Sequence, residues 1–269
     1  MNVISLGYRT DLMVLASAGS VIVDRPSHLV VRTPSNPDFW WGNFVLFDAP
    51  PGPGDAERWS AVFAREFPEA EHLALGVDGT RGDAGDAGER ARLGTTTEVD
   101  SVLTASRLVP PSRPAPEDLQ IRPLSGDDDW EQAVRLRFDC DELGLTVEHR
   151  TFLERRVADH RRLCEAGHGV WFGAFTEGRM RAGTGVFGAG DGLARFQNVE
   201  THPAFRRRGL ASALVHHAGL WGLRELGARM LVIVADPGYH AIDVYRRLGF
   251  ADAEHQVRLC RAPAPTRSD

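Results

Sequence analysis

Residues 198–214 read NVETHPAFRRRGLASAL, and within them Arg206, Arg207 and Arg208 stand directly before Gly209. A helix opening at that glycine exposes backbone N–H groups with no upstream carbonyl and about half a positive charge. Glycine lets the backbone come close to a ligand. The three arginines add charge, and Ser212 adds a hydroxyl. The chemistry this spacing offers is a cradle for a phosphate-type anion. A solvated basic turn is the plain alternative, since a bare R-x-x-G-x-A match is common. What separates the two is context: whether a strand ends before the turn and a helix begins after it.

The surrounding pattern supplies that context. The run from Val170 to Glu200 reads as three strands, with turns at Glu177–Gly178 and Gly190–Gly192. The basic turn follows, then a helix from about Gly209 to Leu226 with Leu210, Leu214 and Trp221 on one stripe. MLVIVA, from Met230, is apolar throughout, as a strand buried on both faces should be. A short helix over Tyr239–Arg247 and a strand over about Ala253–Arg261 complete the series. Upstream, LQIRPL alternates as a first strand. Asp127, Asp128 and Asp129 open a helix to about Leu143, where carboxylates suit the N-terminal dipole. Val147 to about Ala166 is a second helix. The class is α/β with a mixed sheet.

The first half holds a worn copy of this ending. HLALGVD, from His72, matches MLVIVAD, from Met230; RLGT, from Arg92, matches RLGF, from Arg247; and each RLG is followed by a strand-like run, EVDSVLTA or AEHQVRLC. A three-residue difference in spacing falls in a stretch where Gly76, Gly79, Gly82, Gly85 and Gly88 recur, read as a flexible acidic surface loop. NFVLF reads as a strand and Asp55–Phe67 as a helix. Trp40 and Trp41, as neighbours in a strand, would point to opposite faces. Where the second half has PAFRRRGLAS the first has APPGPGDAER, without the run of arginines. The expected organisation is a degenerate domain over 1–108, a Pro-rich linker over 109–116, a catalytic domain over 117–261 and a tail over 262–269.

Composition removes several classes. The chain has 269 residues and a formal net charge of −6. That balance argues against general nucleic-acid binding, which draws on clustered Lys and Arg. No apolar run reaches the roughly 18 residues that span a bilayer. The apolar stretch MVLASAG near the N-terminus lies beside Arg9 and Asp11 and lacks a preceding basic region, so it is a weak secretory signal. Cys140, Cys164 and Cys260 are odd in number and in no C-x-x-C spacing, which suggests neither a disulfide framework nor a metal site. A cytoplasmic location is the expectation, with no membrane and no nucleic-acid partner; the oligomeric state is open.

From Leu119 to Arg261 the order of elements and two motifs resemble the GNAT superfamily of acyl-CoA-dependent N-acetyltransferases. Arg206-Arg207-Arg208-Gly209-Leu210-Ala211 fits its Q/R-x-x-G-x-G/A pyrophosphate loop, and Tyr245-Arg246-Arg247-Leu248-Gly249-Phe250 fits its Y-x-x-x-G-F ending. The whole chain looks like a tandem GNAT protein with a degenerate first domain. The resemblance implies the GNAT fold in two units and acetyl-CoA as co-substrate, without a metal. It further implies direct attack by an amine acceptor in a ternary complex.

By the same resemblance, the backbone of Val199, Glu200 and Thr201 pairs with the pantetheine arm, in a gap where the fourth strand splays from the fifth. Backbone groups from Arg206 to Ser212 hold the pyrophosphate. Tyr245 protonates the leaving thiolate; packing on a short helix is its other reading. Glu200 is the base candidate, beside the reading of a surface carboxylate, with His202 as runner-up. Gln197 and Asn198 either line the acceptor pocket or lie on a half-exposed strand face. One departure is Gly238, where many members carry Asn. The sequence leaves the acceptor open: small amine, amino acid, antibiotic, polyamine or protein amine. It also leaves open a catalytically silent module of the same fold that senses acyl-CoA or binds a protein.

Overall fold

The computed structural model describes residues 1–141, 144 and 146–263. The chain divides into two compact units, Met1–Val102 joined by Ala253 onward, and Leu103–Asp252.

The first unit contains α1 (Leu6–Ser17), β1 (Val21–Arg25), β2 (His28–Arg32), β3 (Phe44–Phe47), α2 (Asp55–Glu66), β4 (Leu73–Val77), α3 (Ala87–Leu93), β5 (Thr96–Ala105) and the last strand, β11 (Ala251–Arg261). Their order in the sheet is β1-β2-β3-β4-β11-β5. β3 and β4 are parallel, and β11 lies antiparallel on β4, with Val257 opposite Val77 and Leu259 opposite Leu75. β3 and β4 are buried along their whole length, which is why FVLF and LALGV carry no polar alternation. The core takes Tyr8, Leu12 and Leu15 from α1, Trp59 and Phe63 from α2, and Val257 and Leu259 from β11. Trp59 stacks on Phe47 with ring centroids 3.9 Å apart.

Four features of this unit differ from the sequence expectation. The apolar N-terminal stretch is a core helix: Ser5 caps α1 by accepting the Tyr8 N–H, and Leu12, Val14 and Leu15 are buried. Arg9 and Asp11 sit on its other positions, which is what blurred the apolar pattern. The β1–β2 hairpin and the helix α3 were not legible. The glycine-rich stretch is not a free loop: a Cβ on Gly85 (φ +72°) would meet the Pro51 carbonyl oxygen at 2.4 Å. Trp40 and Trp41 lie in a 3-10 turn, not a strand. The Asn43 amide closes that turn by donating to the carbonyls of Asn36 and Phe39 and accepting the Thr33 N–H.

The second unit contains β6 (Gln120–Pro123), α4 (Gly126–Asp139), α5 (Val147–Glu165), β7 (Gly169–Thr176), β8 (Arg179–Gly188), β9 (Leu193–Thr201), α6 (Leu210–Arg224), β10 (Met230–Ala235) and α7 (Ile242–Arg247). The sheet order is β10-β9-β8-β7-β6. β6 to β9 form an antiparallel meander; β10 joins parallel to β9. The end of α4 expected near Leu143 falls outside the described residues, as does most of the tail. The short helix opens at Ile242 rather than Tyr239, because Tyr239 first turns back to donate its N–H to Asp236 O at 3.2 Å.

Strand alternation gives this sheet two faces. Trp171 of β7 meets His160 of α5, while the next residue, Phe172, meets His217 and Trp221 of α6 edge-on. The acidic start of α4 is held as the sequence suggests: Asp129 accepts the Ser125 N–H at 2.8 Å and pairs with Arg122. The Pro-rich segment begins by docking, with the Val109 N–H donating to Leu248 O at 2.9 Å. Among the described residues no helix is long and apolar enough to cross a membrane.

Candidate functional site

The parallel register of β9 and β10 pairs Leu193, Ala194 and Arg195 with Met230, Leu231 and Val232, and goes no further. Beyond Arg195, from Phe196 to Thr201, the β10-side edge of β9 has no strand partner among the described residues. On its other side β9 stays paired with β8, through a bulge. Gln197 faces Gly185 and Glu200 faces Gly183, so β9 carries one residue more than β8 there. Asn198 absorbs the extra residue with φ +50°. Thr184 braces the bulge by donating to the Gln197 carbonyl at 3.1 Å. Val199, Glu200 and Thr201 thus sit on a strand end bent away from its parallel neighbour.

The arginine turn follows at once. His202 caps a 3-10 turn over Pro203–Phe205, its Nδ1 accepting the Ala204 N–H at 3.2 Å. Arg206 folds back and donates through Nε to Thr201 O at 3.3 Å, tying turn to strand. Arg207 has φ +63°, and Gly209, at φ +86°, is the N-cap residue of α6 and offers no side-chain cap. The Ala213 N–H reaches Gly209 O at 3.1 Å. The N–H groups ahead of it, on Leu210, Ala211 and Ser212, have no helical carbonyl to meet. Arg207 and Arg208 are exposed, and the Arg208 guanidinium lies over the Phe205 ring, 4.9 Å from its centroid. An open helix N-terminus beside three guanidinium groups fits a pyrophosphate.

The first unit gives the opposite result at its corresponding elements. β3 and β4 stay paired to their ends, Phe47 opposite Val77, and the Asp78 N–H continues the ladder to Phe47 O at 2.8 Å. The N-terminus of α2 also follows a left-handed glycine, Gly54 at φ +85°. Here a carboxylate from the chain itself fills the anion position. Glu89, 3% exposed, accepts the Ala56 N–H at 2.9 Å, and these backbone bonds hold its carboxyl below the usual range.

Glu200 is 8% exposed, so the surface-carboxylate reading is overturned. Its carboxylate pairs with Arg137 of α4 and accepts from Asn198 Nδ2 at 3.3 Å. Burial raises its pKa above the ordinary value; Arg137 and Asn198 oppose that shift. Tyr245 is also buried, and burial pushes its phenol up, keeping it protonated. It packs in the cluster that includes Phe196 and Ile233, the first residues past the last β9–β10 pair. Val199 packs against that same cluster, so alternation sends Glu200 to the opposite face of β9. His202 serves the turn. Gly238 donates its N–H to Asp236 at 2.7 Å.

On the Glu200 face lies a small cavity whose polar lining is Arg137, Arg156, His160, Trp171, Asn198 and Glu200. Asn198 is therefore a lining residue. The sequence reading did not single out Arg137, Arg156, His160 or Trp171. A signal was present: Val157, buried in α5, has His160 three residues on, which places a histidine on the core stripe. Among the described residues no group of three or more His, Cys, Asp or Glu is arranged to hold a metal.

Comparison with known proteins bears on the fold. Residues 130–250 match the model of the Acetyltransferase (GNAT) family. A GCN5-related N-acetyltransferase from Kribbella flavida superposes with a TM-score of 0.67 at 18% identity, covering 98% of each chain. A tandem GNAT protein from the clavulanic acid biosynthesis pathway gives 0.55 at 18%, covering 98% of this chain and 95% of that one. A functionally unknown conserved protein from Staphylococcus epidermidis gives 0.70 at 12%, covering 92% and 96%. No curated protein matches the chain.

Proposed function

The chain belongs to the GNAT acetyltransferase family through residues 130–250, and from that premise we propose that it is an acetyl-CoA-dependent N-acetyltransferase with one working site, in the second unit. The observation that carries the reading is the end of the β9–β10 ladder at Arg195 and Val232, followed directly by the uncapped N-terminus of α6. A peptide-like arm calls for unpaired strand groups, and a diphosphate calls for free N–H groups with positive charge.

Acetyl-CoA supplies the acyl group as a thioester. Val199, Glu200 and Thr201 offer it backbone partners, and Arg206 to Ser212 hold its diphosphate. A β9 backbone N–H donates to the oxygen that gains charge during transfer. Glu200 takes the proton from the attacking amine; its raised pKa matches that task better than a solvated carboxylate would. Tyr245, kept protonated by burial, gives a proton to the departing thiolate. The two groups serve the gap from opposite faces of β9. Holding amine and thioester together supplies the remaining acceleration.

The first unit, in this reading, is a copy of the fold that does not take the co-substrate, because its strands stay closed and Glu89 holds the place of the anion.

The test is thiol release from acetyl-CoA across a broad amine panel, run beside Tyr245→Phe. Turnover that falls by about tenfold or more in the variant supports the mechanism. Saturable acetyl-CoA binding with no thiol release from any amine would instead identify a silent acyl-CoA-sensing module.

A further inference from the structure

The antiparallel register sets Glu200 opposite Gly183 of β8, and Trp171 of β7 opposite Gly185 on the same face. The two glycines leave room under the indole. A Cβ on Gly183 would meet Trp171 Nε1 at 3.1 Å and Met180 Cε at 2.6 Å, and one on Gly185 would meet the Trp171 ring at 2.7 Å. Trp171 Nε1 thus stands over Gly183, the cross-strand neighbour of Glu200. The space between them is the small cavity already described, about 10 Å³. That is room for one water and for nothing larger. Trp171 is 5% exposed and His160 2%. Neither Trp171 Nε1 nor His160 Nδ1 has a hydrogen-bond partner among the described residues. Arg156 Nη2 stands 3.4 Å from His160 Nε2. A guanidinium only donates, so Nε2 accepts and the ring proton sits on Nδ1. Both orphaned atoms are therefore donors. The charged acceptor on the same lining is Glu200, where Arg137 and Asn198 both meet Oε1 and a carboxylate has further lone pairs to offer.

We propose that one buried water sits in this cavity and links Trp171 Nε1–H to the Glu200 carboxylate, which makes Trp171 a positioning residue for the base. The water accepts from Trp171 and His160 and donates to Glu200, which satisfies both orphaned donors at once. A hydrogen bond to the carboxylate favours its charged form, so the water opposes the desolvation of Glu200. The other groups that face Glu200 are already engaged. From α4 come Arg137, paired with Glu200, and Cys140, whose thiol burial pushes up to about 12. From α5 come Arg156, paired with the buried Asp159 at 3.6 Å, and His160, held neutral by burial. β8 brings glycine. The turn brings His202, 3.6 Å from Asp139, and Arg206, which donates to Thr201 O. The inference rests on the transferase reading above, in which Glu200 is the base.

The experiment follows the Trp171 indole N–H by NMR in the full chain with isotope-labelled tryptophan, beside the pH profile of kcat/KM. The resonance, identified by its loss in Trp171→Phe, is expected to shift with pH at the midpoint of the acid limb and to lose that dependence in Glu200→Gln. Gly183→Ala puts a methyl in the place of the water, and the flexible end of Met180 moves aside for it. Trp171→Phe removes the donor. Each variant takes a hydrogen bond from the carboxylate, so the acid limb should move up by roughly one pH unit, about a tenfold loss of kcat/KM at a fixed pH on that limb. The plateau at higher pH and the KM for acetyl-CoA should be largely kept. A merely structural role for Trp171 would lower activity evenly across pH. An indole resonance blind to pH, or an acid limb that stays in place in both variants, would overturn this inference and leave the transferase intact. No thiol release with any amine would overturn the transferase reading and the role given to Trp171 with it. The indole titration needs no turnover, so it tells the two failures apart.

Discussion

Glu200 is under two opposing influences. Desolvation favours the neutral carboxyl, and the Arg137 guanidinium favours the carboxylate; the balance lies on the raised side. A base works only when deprotonated, so activity should fall as pH drops through that raised value. The acid limb of kcat/KM should therefore lie at higher pH than for an ordinary carboxylate. Glu200→Gln should lower kcat/KM by about 10²–10⁴-fold and abolish the limb, checked by a pH–rate profile of both proteins. Loss of rate with the limb intact would mean that Glu200 orients Arg137 rather than moving a proton. Legibility at this scale was uneven. Glu200, Tyr245 and the arginine turn lie within or beside compact motifs. Arg137, Arg156, His160 and Trp171 come from three separate elements, and two of them are arginines that in sequence look like solvated helix faces. Only the fold brings them to one cavity.

At the scale of elements, the contrast between α6 and α2 is informative. Both follow a glycine in the left-handed region, Gly209 and Gly54. One N-terminus is left open, and the other is closed by Glu89. Gly209→Ala forces a Cβ into φ +86°, at a cost of about 1 kcal/mol or more. Acetyl-CoA affinity should drop several-fold in calorimetry with the second unit still folded. At the start of α4, Arg122 holds the Asp129 carboxyl below its ordinary value, with the Ser125 N–H adding to this. A carboxyl lowered on folding contributes stability above its unfolded pKa and loses it as pH falls through the folded one. Asp129→Asn should thus lower the melting temperature at neutral pH and flatten its decline in acid, checked by thermal scans from pH 7 down to about 3. Periodicity made β7 to β10 and α6 legible because turns and glycines punctuate them. The turn at Trp40–Trp41 failed because its shape is set by the Asn43 side chain, which no alternation rule sees.

For the whole molecule, the expectation is one acetyl-CoA per chain. A calorimetric stoichiometry near two would refute the closed first unit. The sequence also showed a last strand over about Ala253–Arg261, ahead of a tail, and its repeat matched that strand to β5. Pattern does not say which sheet a strand joins. β11 directly follows α7 of the second unit, yet from Ala253 it belongs to the first, where Val257 and Leu259 complete the core. Ending the chain at Phe250 should therefore unfold the first unit and spare more of the second. Limited proteolysis should show cleavage between β1 and α3 well before the segment from β7 to α6.

That placement of β11 has a consequence for how the protein is made. Domains usually fold in the order they leave the ribosome, N-terminal first. Here Val77 of β4 is met by Val257 of β11, which is synthesised only after the second unit. The first unit must wait, with β4 paired to β3 on one edge and bare on the other, while the whole second unit is translated. Pairing over so long a sequence separation is slow to close. The unit begun first is thus completed only after the second has been made.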